Sequence, residues 1–289
     1  MSRSALSAAA AVALGGLLTW LTAGCAPPIF EAPSDVDPQP VEGVADHVAI
    51  PTSVPEDTGW GPFGDGFGLE LRHMAVRDEA RLLIERMLIV RLDPDHVRFD
   101  VGYAPRAPQD VAAWQAATGA LLVVNGGFFT EAYDATGLVF SQGTAHGTSY
   151  GAFAGMFAVT EAGPEVRWLG ARPYDPAEPL MAALQAFPML VLPGGVAGVA
   201  ESDASAEVAR RTWIGQDRQG RVLVGVAPSG GLSLSALSAW LVAADLDLDR
   251  ALNLDGGGST GLALAGAPDT TLTISAFDRL PSVILAFAR

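Results

Sequence analysis

Two loops of this 289-residue chain each place a polar side chain directly before a run of glycines, as Asn125-Gly-Gly127 and Asp255-Gly-Gly-Gly258. A glycine has no Cβ, so its backbone N–H group is able to approach a bound ligand closely. A carboxylate and an amide beside such donors are suited to binding a polar ligand. Both loops also have a structural explanation, because Asn-Gly is a common turn and an Asp often hydrogen-bonds its own backbone.

Each loop is predicted to follow the second strand of a strand–helix–strand unit. The first unit is predicted at residues 97–103, 109–118 and 120–124. The second is predicted at residues 221–227, 233–244 and 250–254, with Ser233 capping its helix. The loop after such a second strand is a usual ligand-binding position, because it projects beyond the sheet and is free of packing. Asn125 and Asp255 are therefore expected at equivalent places.

The remaining pattern completes a prediction of fold class. Apolar or alternating runs predict strands at residues 69–76 and 82–92, and a last strand at 282–287. We therefore expect an α+β fold: one domain at residues 67–289 with a mixed, largely antiparallel sheet, the two strand–helix–strand units and several hairpins.

Composition and charge narrow the class of protein. With 49% hydrophobic residues and no low-complexity tract, the chain is globular, which excludes collagen, coiled coils and disordered proteins. The net charge of −15 argues against nucleic acid or an anionic membrane surface as the main partner, so an anionic substrate needs a local cluster of positive groups. A lone cysteine excludes an intrachain disulfide and a cysteine-rich zinc site.

That cysteine ends the most recognisable segment of the N-terminus. After Arg3, an apolar run extends to about Leu21, and small residues precede Cys25, as in a bacterial lipoprotein signal. We expect residues 1–24 to be the signal peptide and residues 25–66, rich in Pro and Asp, to be a lipidated Cys25 with its tether. The expected location is the cell envelope, on the periplasmic or cell-surface face of a bacterial membrane. A transmembrane anchor and an ordinary signal peptide are the alternatives.

Five motifs carry a resemblance to a known family. They are Asn125-Gly-Gly-Phe-Phe129, Gln185-Ala-Phe-Pro-Met-Leu-Val191, Arg211-Thr-Trp-Ile-Gly215, Gly231-Leu-Ser-Leu-Ser-Ala-Leu237 and Asn253-Leu-Asp-Gly-Gly-Gly-Ser-Thr260. In this order they resemble the phosphodiester glycosidase domain family, over roughly residues 69–289. Thr130 departs from the family pattern, which often has an acidic or amide residue there.

The resemblance implies hydrolysis of a sugar-1-phosphodiester at the anomeric carbon, giving a free sugar and a phosphomonoester. A phosphate leaving group already carries negative charge, so it has little need of the acid that an ordinary glycosidase supplies. The larger needs are cationic and N–H donors for the phosphate, and one carboxylate to activate water or to stabilise the oxocarbenium-like centre.

These needs assign expected roles to residues of the motifs. Asp255 is the expected catalytic carboxylate, Arg211 is expected to hold two phosphate oxygens, and Asn125 is expected to hydrogen-bond the sugar or the phosphate. The expected substrate-binding groups are the N–H groups and hydroxyls of Gly126, Gly127, Gly256, Gly257, Ser259 and Thr260. If the two predicted strands are neighbours in one sheet, Asn125 and Asp255 are expected to converge on one cleft.

No metal or cofactor is predicted, although calcium stays possible. Asp245, Asp247 and Asp249 alternate with leucines, but Arg250 and Gly256 occupy the positions where an EF-hand needs Gly and Glu. The expected partners are a sugar-phosphodiester or glycan and, through Cys25, a membrane.

Two other classes of protein remain open. A non-catalytic glycan- or glycolipid-binding lipoprotein would keep the loops, and Thr130 favours it. A structural envelope protein would need no glycine-rich polar loops.

Overall fold

The computed structural model of the protein describes residues 56–64, 68–202, 205–266 and 270–289. The strands along this part of the chain are β1 (Gly61–Pro62), β2 (Leu69–Arg77), β3 (Leu83–Leu92), β4 (Val97–Tyr103), β5 (Leu122–Asn125), β6 (Val139–Ser141), β7 (Thr144–His146), β8 (Gly155–Thr160), β9 (Gly163–Trp168), β10 (Ala182–Ala186), β11 (Met189–Leu192), β12 (Val196–Ala197), β13 (Ala209–Asp217), β14 (Val222–Leu232), β15 (Leu248–Asn253), β16 (Leu262–Ala265), β17 (Thr271–Ile274) and β18 (Ser282–Ala288). Helix α1 (Val111–Thr118) follows β4, and helix α2 (Leu234–Ala243) follows β14.

The strands form three sheets. An eight-stranded sheet has the order β1-β2-β3-β14-β13-β15-β11-β12, and two five-stranded sheets have the orders β7-β6-β10-β8-β9 and β17-β16-β5-β18-β4. The expectation of a largely antiparallel fold is confirmed. The expected mixture with parallel pairs is not seen, since all strand pairs in the described residues are antiparallel.

Parallel pairs are not formed within the described segments because the two strands that each helix connects are not neighbours in their sheet. β4 and β5 flank β18, and β14 and β15 flank β13, so an antiparallel strand separates the two strands that each helix joins.

Alternation along the strands builds a core among the three sheets. In β4 the side chains of Val97, Phe99 and Val101 are buried, as their period of two predicts. They pack with buried side chains from strands of all three sheets, among them Leu88, Leu122, Leu184, Ile214 and Leu252. The strands that end at the two glycine-rich loops are therefore anchored in one core.

Both helices begin at a capping side chain, and α1 also ends at a glycine. Ser233 caps α2 as predicted, because its Oγ accepts a hydrogen bond from the Ala236 N–H at 3.1 Å. Asp110 caps α1 in the same way, and Gly119 ends α1 with a left-handed φ of 69°. Helix α2 packs Leu237 into a second core on the large sheet. Neither helix of the described segments is long and apolar enough to cross a membrane.

The folded unit extends upstream of the expected boundary at residue 67. Strand β1 pairs with β2, and the Asp57 carboxylate accepts a hydrogen bond from Nε of the buried Arg72 at 2.8 Å. The Arg72 guanidinium lowers the pKa of Asp57 to about 2. Residues 56–64, assigned to the tether from composition, thus belong to the large sheet and its edge. The signal peptide and Cys25 lie outside the described residues.

Candidate active site

The two glycine-rich loops meet, although their strands lie in different sheets. Asn125 ends β5 in a five-stranded sheet, whereas Asp255 follows β15 in the eight-stranded sheet. The Asn125 Nδ2 donates to the Asp255 carbonyl at 2.7 Å, and the Asp255 N–H donates to the Gly126 carbonyl at 3.1 Å. The expectation of one shared sheet is therefore wrong, and hydrogen bonds between loops of two different sheets bring the residues together instead.

The side chain of Asn125 is fully buried and its hydrogen bonds stay inside the protein. Its Oδ1 accepts from the Thr212 hydroxyl at 2.8 Å and from the Gly261 N–H at 3.1 Å, while Nδ2 donates to Asp255. The amide thus joins β5, β13 and both ends of the second loop. Its visible role is to position the segment that carries Asp255.

The carboxyl group of Asp255 lies in a site that favours its neutral form. Burial raises its pKa to about 6, and the nearby negative charge of Asp278 acts in the same direction. Hydrogen bonding to Ser259 and to the Gly256 N–H, which lies 2.9 Å from Oδ1, opposes the shift. A carboxyl group with a pKa this close to neutrality is suited to proton transfer.

Packing requires the glycines around Asp255 and Asn125. A Cβ on Gly126 would lie 2.4 Å from the Ser282 Oγ, and one on Gly256 would lie 2.8 Å from the Arg210 carbonyl. Gly257 starts a short 3-10 helix with a left-handed φ of 58°. Close approach of backbone segments and a left-handed turn therefore account for glycine at three positions.

Some of the expected N–H donors are already bonded inside the protein. The Gly126 N–H donates to the Ser282 carbonyl at 2.9 Å, and the Gly256 N–H donates to Asp255. The N–H groups of Gly127 and Gly257 have no acceptor among the described residues. These two are the N–H groups with capacity left for a ligand.

The two hydroxyls of this loop differ in their bonding. Ser259 is buried and bonds the Asp255 carboxyl, whose pKa it lowers. Thr260 is fully buried, and its Oγ1 has no partner within the described part of the chain. Ser259 is thus beside the Asp255 carboxyl, whereas the Thr260 side chain is enclosed by the protein.

The guanidinium of Arg211 is occupied by backbone. Its Nε donates to the Leu232 carbonyl at 3.0 Å, and its Nη2 donates to the Glu207 carbonyl. Burial lowers the pKa of Arg211. The side chain therefore ties β13 to the residue that precedes the cap of α2.

Arg210 differs from Arg211 in having one guanidinium nitrogen without a hydrogen-bond partner in the described residues. Its Nε and Nη2 donate to the carbonyls of Pro228 and Ser275 at 3.1 and 2.9 Å, and its guanidinium lies 4.3 Å from the ring centre of Phe277. Its Nη1 is buried and has no partner in the described residues. The Arg210 carbonyl and the Arg211 Cδ both border Gly256, so both residues lie along the Asp255 loop.

Comparison with known proteins decides the family. The family model described as phosphodiester glycosidase matches residues 118–286, more than half of the chain, and this span includes both glycine-rich loops and Arg211. The chain belongs to the phosphodiester glycosidase family. No curated protein matches the chain.

Solved structures share the fold of this glycosidase-family chain. The catalytic domain of zebrafish N-acetylglucosamine-1-phosphodiester alpha-N-acetylglucosaminidase, auto-inhibited by its pro-peptide, is similar with a TM-score of 0.60 and 17% identity, over 82% of this chain and 85% of that one. A hypothetical protein from Synechocystis is similar with a TM-score of 0.53 and 15% identity, over 77% of this chain and 62% of that one. At these identities the likeness shows the fold alone.

The structure adds two residues that the sequence did not indicate. The Asp278 N–H donates to the Gly258 carbonyl at 3.1 Å, and a Cβ on Gly258 would lie 2.1 Å from the Asp278 Oδ2. Burial raises the pKa of Tyr150, and the Asp255 carboxylate contributes to that increase. Asp278 and Tyr150 stand in segments without a recognisable motif, so only their place in the fold brings them to Asp255.

The described segments contain no group of three His, Cys, Asp or Glu side chains that could hold a metal ion. Asp247 and Asp249 pair with Arg218 and Arg250 at 3.2 and 2.6 Å. These carboxylates are occupied by ion pairs.

Proposed function

We propose that this protein hydrolyses a sugar-1-phosphodiester, releasing the free sugar and a phosphomonoester. The observation that carries the proposal is the carboxyl of Asp255, with its pKa of about 6, on a glycine-rich loop bonded to the Asn125 loop. Membership of the phosphodiester glycosidase family supports a glycosidase-type hydrolase. The family description and the chemistry of the site both favour a substrate in which a sugar is bonded to a phosphate.

In the proposed reaction, the ionised Asp255 acts on water. The bond between the anomeric carbon and the phosphate oxygen breaks, and its electron pair leaves with the phosphate. The water oxygen bonds to the anomeric carbon, and Asp255 takes the released proton. The product phosphate carries its new charge without an acid, so a single well-placed base is sufficient.

The phosphate is proposed to bind at the N–H groups of Gly127 and Gly257 and at a nearby guanidinium. Arg211 would have to exchange two backbone carbonyls for phosphate oxygens. Arg210 already has an unpartnered Nη1 among the described residues. We therefore assign the phosphate contact to Arg210, and to Arg211 the positioning of β13 and the start of α2.

Two lysine variants test this assignment. Arg210→Lys is expected to lower kcat/KM by roughly tenfold or more, because a charged hydrogen bond is worth about 1.5–3 kcal/mol. Arg211→Lys is expected mainly to lower Tm, since it breaks bonds to two backbone carbonyls. Steady-state kinetics and thermal unfolding are measured on both variants. An Arg211→Lys variant with unchanged Tm and a tenfold lower kcat/KM would show instead that Arg211 contacts the phosphate.

The function itself is tested with methyl phosphodiesters of glucose-1-phosphate, mannose-1-phosphate and N-acetylglucosamine-1-phosphate. The full-length protein in detergent is expected to release the free sugar and methyl phosphate in equal amounts. Binding of a diester without turnover would favour the non-catalytic glycan-binding protein, the alternative to which Thr130 points. If the protein neither hydrolyses nor binds any diester of this panel, both the hydrolase and the glycan-binding function are refuted.

The protein is further proposed to be a lipid-anchored envelope protein, supported by the small residues before Cys25. After expression in a bacterium that processes lipoproteins, mass spectrometry is expected to show a mature chain that begins at acylated Cys25. Cys25→Ser is expected to remain an unprocessed precursor without acyl chains. A mature N-terminus at any other residue contradicts the proposal.

A further inference from the structure

Four aromatic side chains form a continuous surface, here named the aromatic wall: Phe128, Tyr150, Phe153 and Phe187. The ring centre of Phe187 lies 4.5 Å from that of Phe128, 5.3 Å from that of Tyr150 and 5.6 Å from that of Phe153. Tyr150 and Phe153 are 5.7 Å apart. Phe187 is thus the centre of the wall.

The wall is not sealed in the core. Phe153 keeps 61% of its surface exposed, and the other three members are partly exposed. The main core does not need the Phe153 ring, whose aromatic contacts are with Tyr150 and Phe187. A cluster of partly exposed rings at the edge of a site is typical of a ligand-binding surface.

Backbone and electrostatic contacts place the wall beside Asp255. The Phe187 carbonyl accepts a hydrogen bond from the Asn253 Nδ2 at 2.9 Å, two residues before the carboxylate. Phe128 directly follows the Asn125 loop. The Asp255 charge contributes to the raised pKa of Tyr150, in agreement with these contacts. The wall therefore borders both loops of the site.

Polar groups accompany the rings. The Tyr150 hydroxyl lies 2.5 Å from the Thr136 Oγ1, and the Tyr150 N–H donates to the Gln185 Oε1 at 2.7 Å. The Gln185 Nε2 donates to the Ser149 hydroxyl at 3.0 Å. Aromatic faces with hydroxyls at their margin match a pyranose ring, which has apolar C–H faces and a polar rim.

We propose that the aromatic wall is the glycosyl subsite, which binds the C–H face of the pyranose and directs its anomeric carbon toward Asp255. This inference rests on the proposed function. It leaves the phosphate to Arg210, whose guanidinium lies 4.3 Å from the ring centre of Phe277. The wall thus selects for the sugar, and the arginine side recognises the phosphate.

Phe153→Ala tests the subsite, with Met181→Ala as the control because its side chain is equally exposed, at 60% against 61%. The truncated ring is expected to raise KM about tenfold, with kcat nearly unchanged, because the lost contact is made in the ground state and the transition state alike. Both variants are expected to keep the wild-type Tm. Equal KM values for the Phe153→Ala and Met181→Ala proteins would overturn the subsite.

A binding measurement separates failure of the subsite from failure of the proposed function. Calorimetry with free glucose, mannose and N-acetylglucosamine is expected to show that wild type binds at least one sugar and that Phe153→Ala binds it about tenfold more weakly. This result supports the subsite even if wild type hydrolyses no diester, in which case only the proposed function fails. Absence of sugar binding by wild type overturns the subsite. If Phe153→Ala also loses about tenfold in affinity for phenyl phosphate, which has no sugar, the wall binds the alcohol side of the diester. That result also overturns the glycosyl subsite.

Discussion

The Asp255→Asn protein is expected to lose activity on the order of a thousandfold in kcat on any sugar-1-phosphodiester that wild type hydrolyses, with KM changed by only a few-fold. The amide keeps the shape of the side chain, and its oxygen still accepts the Gly256 N–H. It is unable to take a proton from water. The loss therefore falls on the transition state rather than on substrate binding.

Asp245→Asn is the control, since the Asp245 side chain is 96% exposed and its partner is 3.8 Å away. The wild-type kcat/KM is expected to rise as the pH increases through about 6, where Asp255 becomes ionised. Residual Asp255→Asn activity should not show this rise. An Asp255→Asn protein with more than about a tenth of the wild-type kcat would contradict the mechanism, because base catalysis contributes far more than tenfold.

The same variant is expected to be more stable than wild type at pH 7–8. Since the pKa of Asp255 is raised from 3.8 to about 6 on folding, the folded state holds this proton more tightly than the unfolded state. The free energy of unfolding therefore decreases as the pH rises between these values, by about 3 kcal/mol. Denaturant unfolding at pH 4 and pH 8 measures the difference. A variant less stable than wild type at pH 8 would show that the buried carboxylate is stabilising.

Asn125→Ala is expected to lose stability and activity together. It leaves the Thr212 hydroxyl, the Gly261 N–H and the Asp255 carbonyl without their partner in a buried site. An unsatisfied buried polar group costs about 1–3 kcal/mol, so the free energy of unfolding is expected to fall by about 3 kcal/mol or more. This corresponds to a decrease in Tm of roughly 6–12 °C for a chain of this size. Turnover is expected to fall because the Asp255 loop loses the bond that holds it.

Thr212→Val is the matched control, because it removes one of the bonds to Asn125 with little change of shape. We expect it to lower the free energy of unfolding by about 1 kcal/mol and to retain most activity. Thermal unfolding and steady-state kinetics are measured for both proteins. A normal Tm with a raised KM in Asn125→Ala would instead show that the amide contacts the substrate.

Local signals were sufficient for many of the elements. The alternation of Val97, Phe99 and Val101 depends only on the period of a strand, and Ser233 caps α2 through a bond to a residue three positions away. The five motifs are likewise contiguous segments, which is why the sequence alone pointed to the phosphodiester glycosidase family. The run of glycines after Asp255 marked a loop for the same reason.

Longer-range contacts decided how those elements are arranged. Nothing local shows that β18 lies between β4 and β5, so parallel neighbours were expected where antiparallel strands intervene. Residues 56–64 were assigned to a tether from composition, but Arg72 and the edge of β2 hold them in the sheet. In both cases the pairing segment is too far along the chain for the local periodicity of the sequence to indicate it.

Local sequence patterns are sufficient to place Asn125 and Asp255 at strand ends with glycines behind them, and hence in loops suited to a site. The surroundings of each side chain depend on contacts between distant segments. Three partners of the Asn125 side chain are 87 to 136 residues away, and they occupy its amide inside the protein. Desolvation sets the pKa of Asp255, and desolvation arises from chain segments that fold over it. Local sequence encodes conformation and facing direction, whereas burial, hydrogen-bond saturation and the approach of Tyr150 to Asp255 are properties of packing between distant segments.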